Sequence, residues 1–195
     1  MSTAASKPRR RMGPVGSDNW VAMLDGAEAI LREEGYAALT SRRVAERIGV
    51  KQRLVYYYFH TMDDLVVATF QRLATRELER LARAVASAHP LRKIWDVCIH
   101  TADARLISEF TALANRNRRL SSEVVAFIRK SRAVQVKALA AALDHNGIRS
   151  PIPPTGLALL ATSVALSMTR ESELGIHVGH NETKALIAEF LSNLE

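Results

Sequence analysis

Four residues of this chain have the side-chain chemistry to read a nucleic acid. Gln52, Arg53, Tyr56 and Tyr57 lie in the run TSRRVAERIGVKQRLVYYYFHTMDDL, from Thr40 to Leu65. Arginine pairs with the acceptor edge of guanine and glutamine with adenine, while tyrosine and lysine suit phosphate oxygens. To act together they must share the outer side of one helix. Val55 and Phe59, four apart, mark the buried side of that helix and leave the four polar residues outward. The helix ahead of it turns Val44, Ala45 and Ile48 toward the core, and Ala45 is small enough for a close crossing. Gly49 supplies the left-handed turn that other residues resist, and Val50 plugs the corner. Taken singly, Arg42 and Arg43 are commonly solvated arginines and three consecutive tyrosines are commonly half-buried packing residues, an option open to Tyr58. Together the residues describe a helix-turn-helix that enters a DNA groove.

The bulk composition is compatible with that. The chain has 195 residues, 48% of them apolar and 24% charged, which is enough to bury one large core or a small one joined to a larger one. Net charge is +7, with an isoelectric point near 10.0, which favours an anionic partner. Residues 1–60 hold 10 Lys/Arg against 6 Asp/Glu, so the excess leans toward the N-terminus. Lys7, Arg9, Arg10 and Arg11 form a basic arm in which Pro8, Gly13, Pro14 and Gly16 oppose regular structure. Cys98 is the single cysteine, which excludes an internal disulfide. No run of 18 apolar residues and no signal-peptide pattern is present, so no membrane partner and a cytoplasmic location are expected.

The expected fold is all-α, with about nine helices: a disordered arm over 1–16, a three-helix domain over 17–61 and a larger helical body over 62–195. Ser17 or Asp18 caps the first helix, with Trp20, Leu24, Ala27 and Ile30/Leu31 on one face, and Gly35 ends it. Thr61 and Asp64 form a capping box for a long helix to about Ser87, and Pro90 interrupts the chain. Helices carrying Ile94, Trp95 and Cys98, then Leu106, Phe110 and Leu113, follow. Asn115 to Arg119 reads as a loop, after which Ser121 or Ser122 caps a helix ending near Gly147. Residues 155–174 form an apolar helix rich in small residues, and a last helix from about Asn181 puts Leu186, Ile187, Phe190, Leu191 and Leu194 on one side.

The Thr40–Leu65 segment resembles the DNA-binding domain of the tetracycline-repressor (TetR/AcrR) family of bacterial regulators. That pattern runs T-x-x-x-[IV]-A-x-x-x-G-V-x-x-x-x-[LV]-Y-x-[HY]-F, and Thr40, Val44, Ala45, Gly49, Val50, Val55, Tyr56, Tyr58 and Phe59 match it. The resemblance implies that Thr40 and Ser41 contact phosphate, that Arg42 reaches bases or backbone, and that Gln52 and Arg53 read base edges. It gives Tyr56, Tyr57 and Tyr58 phosphates or thymine methyls. Two positions depart from the pattern. Lys51 replaces the usual hydroxyl cap of the third helix, adding charge. Met62 stands where the family places a phosphate-binding lysine, leaving His60 or the arm arginines to compensate.

For the body, the resemblance implies a binding site for a small effector and a dimer interface. Trp95, Cys98, Phe110, Phe127 and Met168 are the expected walls of an apolar pocket taking a hydrophobic or amphipathic ligand, with His100, Asn115 or Arg170 as its polar group. Ala161 and Ala165 on one helix, with Leu186 and Phe190 on the next, are the expected homodimer contacts, giving two readers for a palindromic double-stranded DNA operator. The expected function is a sequence-specific transcriptional regulator, a repressor released by its effector, without cofactor, metal or enzymatic activity. Two rival classes are weighed against it. An all-α enzyme would need more than the pairs His177-x-x-His180 and Cys98-x-His100, which lack a third metal ligand at known spacing, and no phosphate loop or nucleophile elbow is present. A helical adaptor with a degenerate reader would bind DNA weakly and without a recurring palindrome.

Overall fold

The computed structural model describes residues 13–99 and 104–194. Among them are nine α-helices, one 3-10 turn and no strand. The basic arm before residue 13 and His100 lie outside the described residues. Two compact units are formed, one reaching Thr69 and the other starting at Phe70. The sequence reading puts the division at 61/62. The division instead falls inside a helix, because buried Leu65, Val66, Val67 and Thr69 belong to the N-terminal unit.

The N-terminal unit starts with α1 (Asp18–Glu34), capped by the Ser17 hydroxyl, which accepts from the Trp20 amide at 3.4 Å. Met23, Leu24, Ala27, Ile30 and Leu31 form its buried side. A 3-10 turn over Tyr36–Ala38 leads to α2 (Ser41–Arg47), whose cap is the Thr40 hydroxyl, accepting from the Arg43 amide at 3.1 Å. Gly49, at φ 71, then ends the helix. Its amide donates to the Glu46 carbonyl at 3.3 Å and the Val50 amide donates back to Ala45 at 2.9 Å. These are the two bonds of a Schellman close, which needs a left-handed residue at that position. The chain re-enters helix at α3 (Gln52–Tyr58), with Val55, Tyr58 and Phe59 buried. Lys51 stands at its cap position and makes no side-chain cap bond.

The helix α4 (Met62–Val85) opens on the expected capping box. The Asp64 amide donates to Thr61 Oγ1 at 3.1 Å and the Thr61 amide donates to Asp64 Oδ2 at 3.0 Å. In the C-terminal unit, α5 (Pro90–Ile99), α6 (Ala104–Ala114), α7 (Arg118–His145), α8 (Pro154–Glu173) and α9 (His180–Ser192) pack together. Leu91 and Trp95 of α5, Leu143 of α7, Ala165 of α8, and Leu191 and Leu194 at the chain's end share one core cluster. Leu81 and Ala84 of α4 form a second with Ile94.

Two expectations change here. Asn117, not Ser121 or Ser122, caps α7: its Oδ1 accepts from the Leu120 amide at 3.0 Å, so the helix starts inside the segment read as a loop. Asparagine caps as well as serine does, and the run Asn-Arg-Asn-Arg-Arg masks the cap among polar neighbours. Ala165 is only 1% exposed and packs in the core of its own chain, with Ala161 against the same cluster. Ala161 and Ala165 therefore serve close packing within the subunit.

Asn117→Ala should lower stability by about 1 kcal/mol, while Ser121→Ala should change it little. Gly49→Ala, which meets no neighbouring atom but forces a left-handed alanine, should cost about 1 kcal/mol. Denaturant unfolding of the three variants measures each loss, and equal effects at Asn117 and Ser121 would contradict the cap assignment.

Candidate functional site

The outer side of α3 is organised from below by one hydroxyl. Ser41, at the start of α2, is 4% exposed. Its Oγ donates to Tyr56 Oη at 2.9 Å and accepts from Gln52 Nε2 at 2.8 Å. One small side chain thus anchors the first and second turns of α3. Ser41 was expected on phosphate itself; buried and engaged, it positions Gln52 and Tyr56 instead. Thr40 is exposed, and its hydroxyl accepts the cap bond of α2 while its O–H remains available as a donor.

Gln52, Arg53, Tyr56 and Tyr57 all lie exposed along α3, as their spacing implies, with Lys51 and His60 exposed at its two ends. Arg42 projects from α2 with its side chain 80% exposed and bonds Glu46 at 2.8 Å. Tyr58 departs from expectation. It is 6% exposed, accepts a hydrogen bond from Ser17 Oγ at 3.1 Å, and meets the Tyr57 ring edge-on at 5.3 Å. Gly13, whose amide donates to the Tyr57 carbonyl at 3.1 Å, lies so close that a β-carbon there would collide with the Tyr58 ring. Position 58 falls three residues after Val55 and so on the inner face. It is a packing residue.

Two basic residues of α2 are held by α1. Arg43 grips Glu34 with Nε and Nη2, at 3.0 and 2.8 Å, and Arg47 bridges Glu33 at 2.6 and 2.7 Å. The Arg47 hydrogen bond pulls the Glu33 carboxyl below its ordinary value of 4.5, and the Arg43 hydrogen bond does the same for Glu34. These pairs orient α2 against α1 and leave Arg42, Lys51 and Arg53 as the cations of the outer face. The signal for them, Glu33-Glu34 at the end of the first helix, was present in the sequence.

Residues 23–69 match the family model of bacterial regulatory proteins of the tetR family. Over those residues the N-terminal unit is similar to a tetR-family domain. The HTH-type transcriptional repressor Rv3405c of Mycobacterium tuberculosis is 33% identical over 96 residues, 49% of this chain and 50% of that protein. The chain thus spans about half the length of the curated relatives it matches. The likeness in fold extends further. A TetR transcription regulator from Haloarcula marismortui superposes with a TM-score of 0.75 over 89% of this chain and 96% of that one, at 20% identity. A Saccharomonospora viridis protein solved in complex with choline gives 0.73 over 80% and 85%, at 10% identity.

Beyond the N-terminal unit in sequence, the C-terminal unit has an open-sided cavity of about 310 Å³. Phe70, Leu73 and Leu81 of α4 and Val124, Phe127 and Ile128 of α7 make much of its wall. Of the five expected wall residues, Cys98 and Phe127 line it. Trp95 is buried in the core cluster of α5 and α9, Phe110 lies fully buried with its ring 5.2 Å from that of Phe70, and Met168 is buried in α8 away from the cavity. Asn115 and Arg170 are exposed and do not reach it. Its charged and amide groups are Glu77, Arg132 and Gln135. Glu77 follows Leu73 by four residues and Arg132 follows Ile128 by four, so both sit in apolar stripes, a pattern the search for bulky walls passed over. Burial pushes the Cys98 thiol up to about 11, the nearby Arg132 opposing that rise.

The expected dimer contacts divide likewise. Leu186 and Phe190 are exposed on α9, at 68% and 42%, whereas on α8 the exposed apolar residues are Leu159, Leu160 and Leu166. No helix of the described residues is long and apolar enough to cross a membrane.

Glu33→Gln with Glu34→Gln tests the α1–α2 pairs. Both carboxyls are lowered in the folded state, so their contribution is fully present above the ordinary value of 4.5 and fades as pH falls through the lowered values. The double variant should melt slightly below the parent at neutral pH, with the gap closing in acid and in high salt. A gap that widens in acid would exclude these pairs as its source.

Proposed function

We propose that this chain is a cytoplasmic, sequence-specific DNA-binding transcriptional regulator without enzymatic activity, a repressor released by a small molecule. The observation that carries the reading is the arrangement around Ser41, which sets Gln52 and Tyr56 on the same outer face as Arg53 and Tyr57. Glutamine and arginine there match base edges in a major groove, and Tyr57, Lys51 and His60 match the flanking phosphates. The curated relative, matched over half its length, is named a repressor.

The second function belongs to the cavity. A fold-mate holds choline, and the cavity here is apolar over most of its wall, which favours a largely hydrophobic effector. Release follows by population shift: a ligand that binds one arrangement of the body better than another biases the DNA-binding state by that difference in affinity. The helix α4 supplies its first turns to one unit and the rest to the other, giving the chain a continuous element through which both sites act. The exposed apolar residues Leu159 and Leu166 on α8 and Leu186 and Phe190 on α9 support a homodimer, and two readers related by a twofold axis suit a palindromic operator.

Selection of bound fragments from genomic DNA should return a recurring palindrome; its absence would remove the sequence-specific reading and favour an adaptor. On that site, Gln52→Ala and Arg53→Ala should each weaken binding by about 1–3 kcal/mol and relax base preference. Tyr58→Phe should leave DNA affinity nearly intact while lowering stability by about 1 kcal/mol through the lost Ser17 bond. Mobility-shift titration with melting curves separates the two effects.

A further inference from the structure

The cavity of the C-terminal unit holds two charged residues, and they differ in one respect. Glu77 accepts through both carboxylate oxygens from Arg80 Nη1, at 2.9 and 3.0 Å, so its charge is answered within α4. Arg132 on α7 has its Nη1 shielded from solvent, with no hydrogen-bond partner among the described residues. A guanidinium is a cationic group with five N–H donors and no acceptor. A shielded donor left unpaired is costly, and a charged one more so, which makes this wall a place where a bound acceptor gains more than it would in water. The neighbours do not answer the charge. Gln135 is buried on the same side of α7 and gives its Nε2 to Ser131 Oγ at 3.2 Å. Cys98, whose sulfur lies 3.9 Å from that nitrogen, is a neutral thiol at ordinary pH.

Much of the rest of the wall is hydrocarbon, interrupted by the hydroxyls of Thr111, Ser131, Thr162, Ser163 and Thr169. Phe70, Leu73 and Phe127 face the same space, and about 310 Å³ is at the small end of ligand pockets, room for one ring or a medium-length chain. We propose that this cavity takes an apolar molecule bearing a single carboxylate-like anionic group, which pairs with Arg132 while its hydrocarbon lies against the aromatic wall. This rests on the effector reading of the same cavity and names the chemical class of the effector. Arg132 selects the charge; the wall selects size and apolarity.

Octanoate, octanamide and octylamine share a chain length and differ in headgroup charge. Titrated calorimetrically into the full chain, octanoate should bind about tenfold or more tightly than octanamide, with octylamine weakest. Arg132→Met keeps an unbranched side chain of similar reach and should reduce octanoate to the level of octanamide, leaving octanamide unchanged. Arg132→Lys should retain part of the preference. Equal binding of octanoate and octanamide, no binding by any of the three, or an anion preference that survives Arg132→Met overturns the proposal. A mobility-shift titration with octanoate keeps the two readings apart. Octanoate that binds through Arg132 and leaves operator affinity unchanged sinks the effector role while the anion site stands. DNA release by octanamide equal to that by octanoate sinks the anion site while the effector role stands.

Discussion

What α3 presents to a partner depends on how Gly49 turns the chain. The left-handed close at the end of α2 fixes the direction in which α3 leaves, with two backbone bonds on either side of it. Only with that crossing does Ser41, one residue into α2, come within bonding distance of both Gln52 and Tyr56. The hydroxyl in turn holds two side chains of the outer face in a single arrangement, which lowers the conformational freedom they lose on binding. Recognition chemistry is thus assembled from a backbone turn and a buried serine, neither of which need touch DNA.

Charge is divided between structure and recognition in a way that net charge does not reveal. Arg43 and Arg47 face Glu34 and Glu33 and serve the packing of α2 on α1. Arg42, next to Arg43 on the same helix, is solvent-facing and tied to a neighbour on its own helix. The same division recurs in the body, where the Glu77–Arg80 pair is internally complete and Arg132 is not.

Much of the reader was legible because its signals are local. Helical period, Gly49, and the caps at Ser17 and Thr61 each act over four residues or fewer, and each takes its expected place. Tyr58 shows the limit: a tyrosine suits either side of a helix, and its burial is decided by Ser17 and Gly13, some 40 residues away in sequence. The cavity was legible only in part for a related reason. Bulk and softness identified Cys98 and Phe127, but whether Trp95 or Phe110 lines a space or fills one depends on how several helices meet. Ala165 illustrates the same ambiguity, since a small residue permits close approach without saying by which helix.

The chain has two tryptophans, and each compact unit contains one. Trp20 is half-buried in the N-terminal unit with its ring 6.3 Å from that of Phe59, and Trp95 is buried in the core of the C-terminal unit. They sit in different surroundings, one at the rim of a small domain and the other deep among α5, α7 and α9. Intrinsic fluorescence therefore carries two separable signals. Replacing either indole by phenylalanine leaves an optical reporter specific to the other unit, so that cooperative melting of the whole molecule is distinguishable from independent melting of its parts without any added dye.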